Sequence, residues 1–229
     1  MLGVASTAAL GRWQLSRAAE KEALQAAIDA QGQLPVLQAP ALLDAADPVS
    51  LLHRAVHLRG LWIAERTVFL DNRQMRGQPG FYVLTPLALE NSNKVVMVQR
   101  GWVQRNFVDR TALPSIPTPS GLVEIEGRVV PAPARLYEFS GPDQGTIRQN
   151  LDLGAFALET GLPLWPQSVQ QTGDDGSVLL REWPVPRTGV EKHYGYAFQW
   201  FGLCALLTGL YVWFQFVRRA KLRRASRHG

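Results

Sequence analysis

The hydrophobic pattern is most uneven at the C-terminal end. From Gly195 to Val217 there is no charged residue, and the run includes Phe198, Trp200, Phe201, Leu206, Leu207, Leu210 and Phe214. As a helix rising about 1.5 Å per residue it covers about 35 Å, enough for a bilayer core of about 30 Å. The pattern therefore predicts a transmembrane helix over residues 193–217. Tyr194, Tyr196 and Trp200 stand near one end and Tyr211 and Trp213 near the other, where aromatic rings suit the headgroup region. A buried core helix would be shorter and would not run straight into Arg218, Arg219, Lys221, Arg223, Arg224 and Arg227. That basic cluster, residues 218–229, is expected on the cytoplasmic side, with the body of the chain opposite.

At the other end, Leu2–Gly11 is small and apolar, and Arg12 stops it. The stretch is too short to span and lacks the basic start of a signal peptide. It is expected to be the outer half of a first transmembrane helix, reached by a start placed upstream of Met1. Residues 12–30 are rich in Ala, Glu, Gln and Leu, which predicts a helix, stopped by Gly32 and Pro35. Residues 35–48 read as a polar connector.

The pattern then changes to period two. Strands are predicted at 53–59, 67–70, 81–84, 95–103 and 122–130; in the last, Val123 and Ile125 alternate with Glu124, Glu126 and Arg128. Asp174-Asp175-Gly176 predicts a hairpin turn between 166–172 and 177–183. Asp152 and Gly161 bracket a predicted short helix over 153–159. The expected fold is a membrane-anchored α+β protein: a small antiparallel β-barrel or sandwich flanked by an N-terminal helix and a C-terminal transmembrane helix. Its expected divisions are 1–34, 35–192, 193–217 and 218–229.

Charge changes this picture little. The net charge of +5 comes from the tail; setting aside its six basic residues leaves 18 basic against 19 acidic. A nucleic-acid binder would carry its basic residues on a folded face, so no nucleic-acid partner is expected. Cys204 is the single cysteine, which excludes an internal disulfide and a thiolate metal cluster. There is no nucleophile elbow and no phosphate-binding loop with a helix behind it; Gly141-Pro-Asp-Gln-Gly145 reads as a turn. No enzymatic constellation emerges. His53 and His57 would lie about 13 Å apart along one strand, too far to share an ion, and read as surface residues; His228 falls in the tail.

His193 remains, at the mouth of the membrane helix. At helical spacing His193, Ala197 and Trp200 share a face. Imidazole is a common haem-iron ligand, and a planar apolar cofactor suits a lipid-accessible site. The other reading is an interfacial histidine that closes the junction between domain and helix.

Several segments together resemble the SURF1 family of cytochrome oxidase assembly factors. They are Leu10-Gly-Arg-Trp-Gln-Leu-Ser-Arg17 with Lys21, Gly60-Leu-Trp62, Leu70-Asp-Asn-Arg73 with Gly77, Gly80-Phe-Tyr-Val-Leu-Thr-Pro-Leu87, the Arg100-Gly-Trp102 strand, and His193-Tyr-Gly-Tyr-Ala-Phe-Gln-Trp-Phe201. The resemblance covers nearly the whole chain. It implies two membrane helices around an exported β-rich domain, in a bacterial inner membrane on the periplasmic side, or in the mitochondrial inner membrane in a eukaryote. It implies a non-enzymatic chaperone of the respiratory chain that binds haem (haem a) transiently and delivers it to the catalytic subunit of a haem–copper oxidase. The alternative is a scaffold that holds an oxidase subunit or haem synthase without haem. Implied partners are oxidase subunit I, other assembly factors or haem synthase, and the lipid bilayer. The implied haem-contacting residues are His193, as iron ligand, with Trp200 and Tyr196; Lys192 and Arg187 are either propionate partners or ordinary membrane-flanking charge. Arg73 and Arg100 are expected to be structural, for instance in barrel-closing ion pairs, and Gly77, Gly80 and Gly101 to serve turns or close strand packing.

Overall fold

A computed structural model describes residues 2–109, 112–133, 145–184 and 189–217. The 141–144 part of the glycine-rich turn, Arg187, the basic tail and His228 lie outside the described residues. The chain divides into two compact units, one of residues 28–184 and one of residues 1–27 with 185–229.

The larger unit is built on eight strands: β1 (Leu37–Gln38), β2 (Ala55–Trp62), β3 (Val68–Met75), β4 (Gln78–Leu89), β5 (Val95–Gln104), β6 (Leu122–Val130), β7 (Ile147–Arg148) and β8 (Leu164–Gln171). Five of them close a ring in the order β2–β6–β8–β5–β4, and β4 returns to β2. The fold is therefore a barrel, not an open sandwich. It is also not wholly antiparallel, because β5 and β8 run parallel with Val98 opposite Val169.

β4 is long because it serves two partners on one edge. Its first part pairs with β3, ending at Leu84 opposite Val68, and its last part pairs with β2 from Leu87 opposite Trp62. Thr85 and Pro86 fill the gap between the two ladders. There the Thr85 and Thr67 hydroxyls meet at 3.0 Å and the Ile63 N–H donates to the Pro86 carbonyl at 2.9 Å. A proline is tolerated in a central strand at such a break in the ladder.

The β3–β4 turn is Arg76-Gly77 with φ of 51° and 74°, the left-handed pair of a two-residue hairpin turn. β3 and the first part of β4 lie outside the ring and are covered on both faces, which is why Phe69, Leu70, Phe81 and Val83 read as unbroken apolar runs. One face carries Val68, Leu70, Leu84 and Met97 against Leu153 and Phe156 of α3 (Leu153–Thr160). The other carries Phe69, Phe81, Val83 and Leu179, with the two phenyl rings edge to face at 5.9 Å. The ends of α3 are the predicted ones: the Asp152 carboxylate accepts from the Ala155 N–H at 2.9 Å, and Gly161 takes the left-handed conformation. Inside the ring Val56, Leu58, Leu87, Val96, Val98, Ile125, Val129 and Val169 form the core.

Three expectations change. The polar connector contains β1 and α2 (Ala39–Leu43), and α2 sends Leu42 fully buried into the barrel core. The turn at Asp174–Gly176 exists, with Asp174 and Asp175 accepting from Gly176 and Ser177 backbone N–H groups. Its second arm does not return on β8, however; Leu180 bridges to Trp102 of β5 instead. His53 and His57 are half-buried and not on one strand. His53 precedes β2 at φ 71°, while His57 Nε2 lies 3.6 Å from Glu124.

The smaller unit holds α1 (Leu2–Gly32, of which residues up to Ala27 belong here) and α4 (Val190–Val212). Leu2–Gly11 is helical and continuous with the predicted 12–30 helix. A π-helical turn, Trp213–Val217, follows α4.

Two outcomes follow for the barrel. A Cβ on Gly80 would stand 2.3 Å from the Val103 carbonyl oxygen and 2.5 Å from the Trp102 indole, so Gly80→Ala should lower stability by on the order of 3 kcal/mol in denaturant titration. Burial works against the Asp175 charge, but hydrogen bonds from Ser177, Arg181 and Gln171 prevail and hold its carboxyl well below the usual range. A depressed carboxyl contributes stability above its unfolded pKa of about 4 and loses it as pH falls toward the folded value. Thermal unfolding should therefore ease progressively below about pH 4, and Asp175→Asn should flatten that acid limb.

Candidate functional site: the imidazole of the apolar helix

α4 is long and apolar enough to cross a membrane, judged by length and composition over Val190–Phe216. Its side chains are largely uncovered, with Phe198 80% and Leu206 58% exposed. A soluble core helix would bury such residues.

The one covered stripe of α4 packs on α1 in antiparallel fashion. Gly3, Thr7, Gly11, Gln14 and Ala18 recur at helical spacing along α1, and Thr7, Gly11 and Ala18 are buried. Small residues on one helix leave room for the larger side chains of the other. Gly11 shows the fit: a Cβ there would lie 2.8 Å from the Phe201 ring. Further along, the Cys204 thiol faces the Val4 carbonyl at 3.6 Å, and Leu207 lies against Gly3.

Polar contacts gather at the opposite end of this pair. His193 Nδ1 lies 2.6 Å from Gln14 Oε1, and the Tyr194 hydroxyl donates to Glu22 at 2.8 Å. With an amide oxygen as its partner, Nδ1 is the nitrogen placed to donate; in the neutral imidazole with that tautomer Nε2 holds the lone pair. The second nitrogen of a ligating histidine is held in this way in metal sites, where the partner sets the tautomer and ring orientation.

The predicted residues separate into two groups. Ala197 is buried, between the levels of the Gln14–His193 and Gly11–Phe201 contacts, so that side of His193 is occupied by α1. Trp200 is half-buried and Tyr196 is exposed. At about 100° per residue Tyr196 and Trp200 lie on the same side of the His193 direction, opposite to Ala197. His193, Tyr196 and Trp200 thus form one stripe along the edge of the helix pair, with the imidazole at its polar end. Lys192 is exposed in the first turn of α4.

These residues would suit a haem: His193, with Nδ1 engaged by Gln14, would hold the iron through Nε2, and Trp200 and Tyr196 stand alongside. Among the described residues no group of three or more His, Cys, Asp or Glu side chains is arranged to hold a bare metal ion. Gln14 is the member that sequence reading missed. It is 179 residues from His193, and no local pattern links the two.

The expected ion pair of Arg100 takes another form among the described residues. The buried Arg73 donates to the Gln149 carbonyl at 2.9 Å and lies over the Tyr82 ring. Arg100 is stacked on Trp62 with its guanidinium carbon 4.8 Å from the ring centre, and it donates to Thr118 Oγ1 and the Pro117 carbonyl. The hydrogen-bonding and stacking partners of Arg100 are neutral groups. In a closed barrel, ladder hydrogen bonds already hold the strands, and both guanidinium groups lie over aromatic faces.

Comparison with known proteins bears on the whole chain. The family model described as SURF1 family matches residues 1–205. A SURF1-like protein of Rickettsia felis is 29% identical over 211 residues, covering 89% of this chain and 89% of its own length. A SURF1-like protein of Drosophila melanogaster is 26% identical, with 94% and 75% covered. Surfeit locus protein 1 of Rattus norvegicus is 28% identical, with 92% and 72% covered. The match of the family model spans α1, every strand of the barrel and α4 through the His193 stripe, and on that ground the chain belongs to the SURF1 family.

Proposed function

We propose that this chain is a non-enzymatic assembly factor that binds haem through His193 and passes it to the catalytic subunit of a haem–copper oxidase. Membership in the SURF1 family implies a role in cytochrome oxidase assembly; haem handling is the finer reading. The observation that carries it is the Gln14–His193 contact at 2.6 Å, which presents an imidazole lone pair beside an apolar, uncovered helix face. A bound haem would supply the iron that accepts this lone pair. The chain's own part is to hold and orient. Gln14 fixes the imidazole, Trp200 and Tyr196 offer apolar contact to a flat macrocycle, and Lys192 stands near for a carboxylate.

Haem a, held transiently, suits this reading, since one protein ligand binds less firmly than two and favours transfer. Oxidase subunit I is then the acceptor, with haem synthase or other assembly factors as donors. We place the barrel on the periplasmic side of a bacterial inner membrane, in a protein with a second span contributed by the α1 end, or at the corresponding place in a mitochondrial inner membrane. Two features support the pair of spans: the apolar helix, and the small-residue stripe of α1 that packs on it.

Protein purified in detergent with co-produced haem should show a Soret band that His193→Ala weakens or shifts. A mutant spectrum equal to wild type would remove His193 as ligand and favour the scaffold reading. Gln14→Leu is the more delicate probe. Imidazole 15N shifts should change from one tautomer to a mixture, and haem affinity should fall about tenfold, as for other partners of ligating histidines.

A further inference from the structure

The ring of β2, β6, β8, β5 and β4 is filled with aliphatic side chains along most of its length. It is not filled at the end where β2 finishes with Trp62. There a cavity of about 390 Å³ is lined by Trp62, Arg100, Ile125, Gln171, Asp175 and the Pro117–Pro119 segment. Barrel mouths are recurrent places for small ligands, and this volume falls in the usual range.

Two side chains in this mouth are almost wholly buried and incompletely paired. Arg100 is 1% exposed, and its Nε has no hydrogen-bond partner. Gln171 is 2% exposed; its amide nitrogen donates to Asp175 at 3.0 Å, while its Oε1 has no partner. The parallel β5–β8 ladder ends at Gln99 opposite Gln170; Arg100 and Gln171 are the residues that follow, and both line the cavity. One offers an N–H and the other an acceptor.

Charge sharpens the choice of ligand. Asp175 is paired with Arg181 at 2.5 Å, and Glu124, also at the rim, with Arg59 at 3.0 Å. Arg100 has no carboxylate within salt-bridge distance among the described residues, and Asp175 acts on it only through space. Burial disfavours its charge, and a buried cation is stable when an anion meets it. In its place stand neutral acceptors, Thr118 Oγ1 at 2.8 Å and the Pro117 carbonyl at 3.0 Å. These belong to the coil that leads into β6 and lies across the guanidinium.

We propose that the barrel mouth binds a carboxylate adjacent to an amide N–H, as at the C-terminal residue of a polypeptide. The carboxylate takes the guanidinium of Arg100 from Thr118 and Pro117, and the N–H donates to Gln171 Oε1. A charge-assisted pair is stronger than the neutral contacts it replaces. The coil over Arg100 must move for the ligand to enter, so Thr118 acts as a built-in competitor. This site lies within the barrel unit and is argued independently of the haem reading.

The test uses the full chain in detergent, prepared without haem, and isothermal titration with tetra-alanine, its C-terminal amide, N-acetylalanine and glutarate. The free-acid peptide should bind in the millimolar range or tighter, with the amide about tenfold weaker. Glutarate, which lacks the N–H, should be weaker than N-acetylalanine. N-acetylalanine equal to the peptide would identify a small acylated acid as the ligand; a tighter peptide would identify a polypeptide end. Arg100→Gln should abolish binding. If that variant fails to fold, Thr118→Val decides, because removing the competitor should tighten the acid peptide severalfold and leave the amide unchanged. Equal binding of acid and amide, or no binding of either to wild type and Thr118→Val, overturns the proposal.

Discussion

Three residue pairs, Gly60–Trp62 against Leu87–Leu89, turn an open sheet into a closed one. A sheet edge exposes unpaired donors and acceptors, and closure removes it. Much of the larger unit is arranged around that return. β4 must be long enough to leave β3 and reach β2, so it breaks its ladder at Thr85-Pro86, and two threonine hydroxyls close the break. Gly60 sits where strands cross closely, since a Cβ there would be 2.3 Å from the Ala88 carbonyl oxygen. The ring then encloses an aliphatic core, and α2 contributes to it from a segment that reads as a linker. β3 and the free half of β4 project from the ring and need covering on both faces. α3 and the Leu179 segment supply the two covers.

In the smaller unit α4 is long and apolar enough to lie in lipid, where an apolar side chain gains nothing by meeting another and shape and hydrogen bonds decide which helix faces meet. The small residues of α1 supply shape. Gln14, His193, Glu22 and Tyr194 supply polar contacts near one end of the pair. An imidazole held on one nitrogen and open on the other follows from that packing; it requires no pocket.

How far all this was legible depends on the range of the determining contact. The apolar helix, the strands at 95–103 and 122–130, and the 153–159 helix with both its stops were readable because the deciding residues are neighbours in sequence. Asp152 reaches only to Ala155. His193 and Trp200 were readable as helical spacing together with Ala197, which packs toward α1 instead, and the resemblance to the family added weight to the histidine. What was missed is long-range. The parallel β5–β8 pairing, the bridge from Leu180 to Trp102, and the neutral partners of Arg100 join segments that no local pattern connects. α2 escaped because five residues carry too little periodicity to register. Gln14 escaped because a lone glutamine on an Ala- and Gln-rich helix looks like any other.

The Gln14–His193 contact has a consequence in time as well as space. Its two halves lie near opposite ends of the chain, and nearly the whole barrel is translated between them. The first half is made before any strand exists and the second after all of them. The imidazole is therefore oriented only in a chain that has been completed and has brought both helices together. A protein released early, or one whose barrel has trapped its ends apart, carries at most one half of the pair.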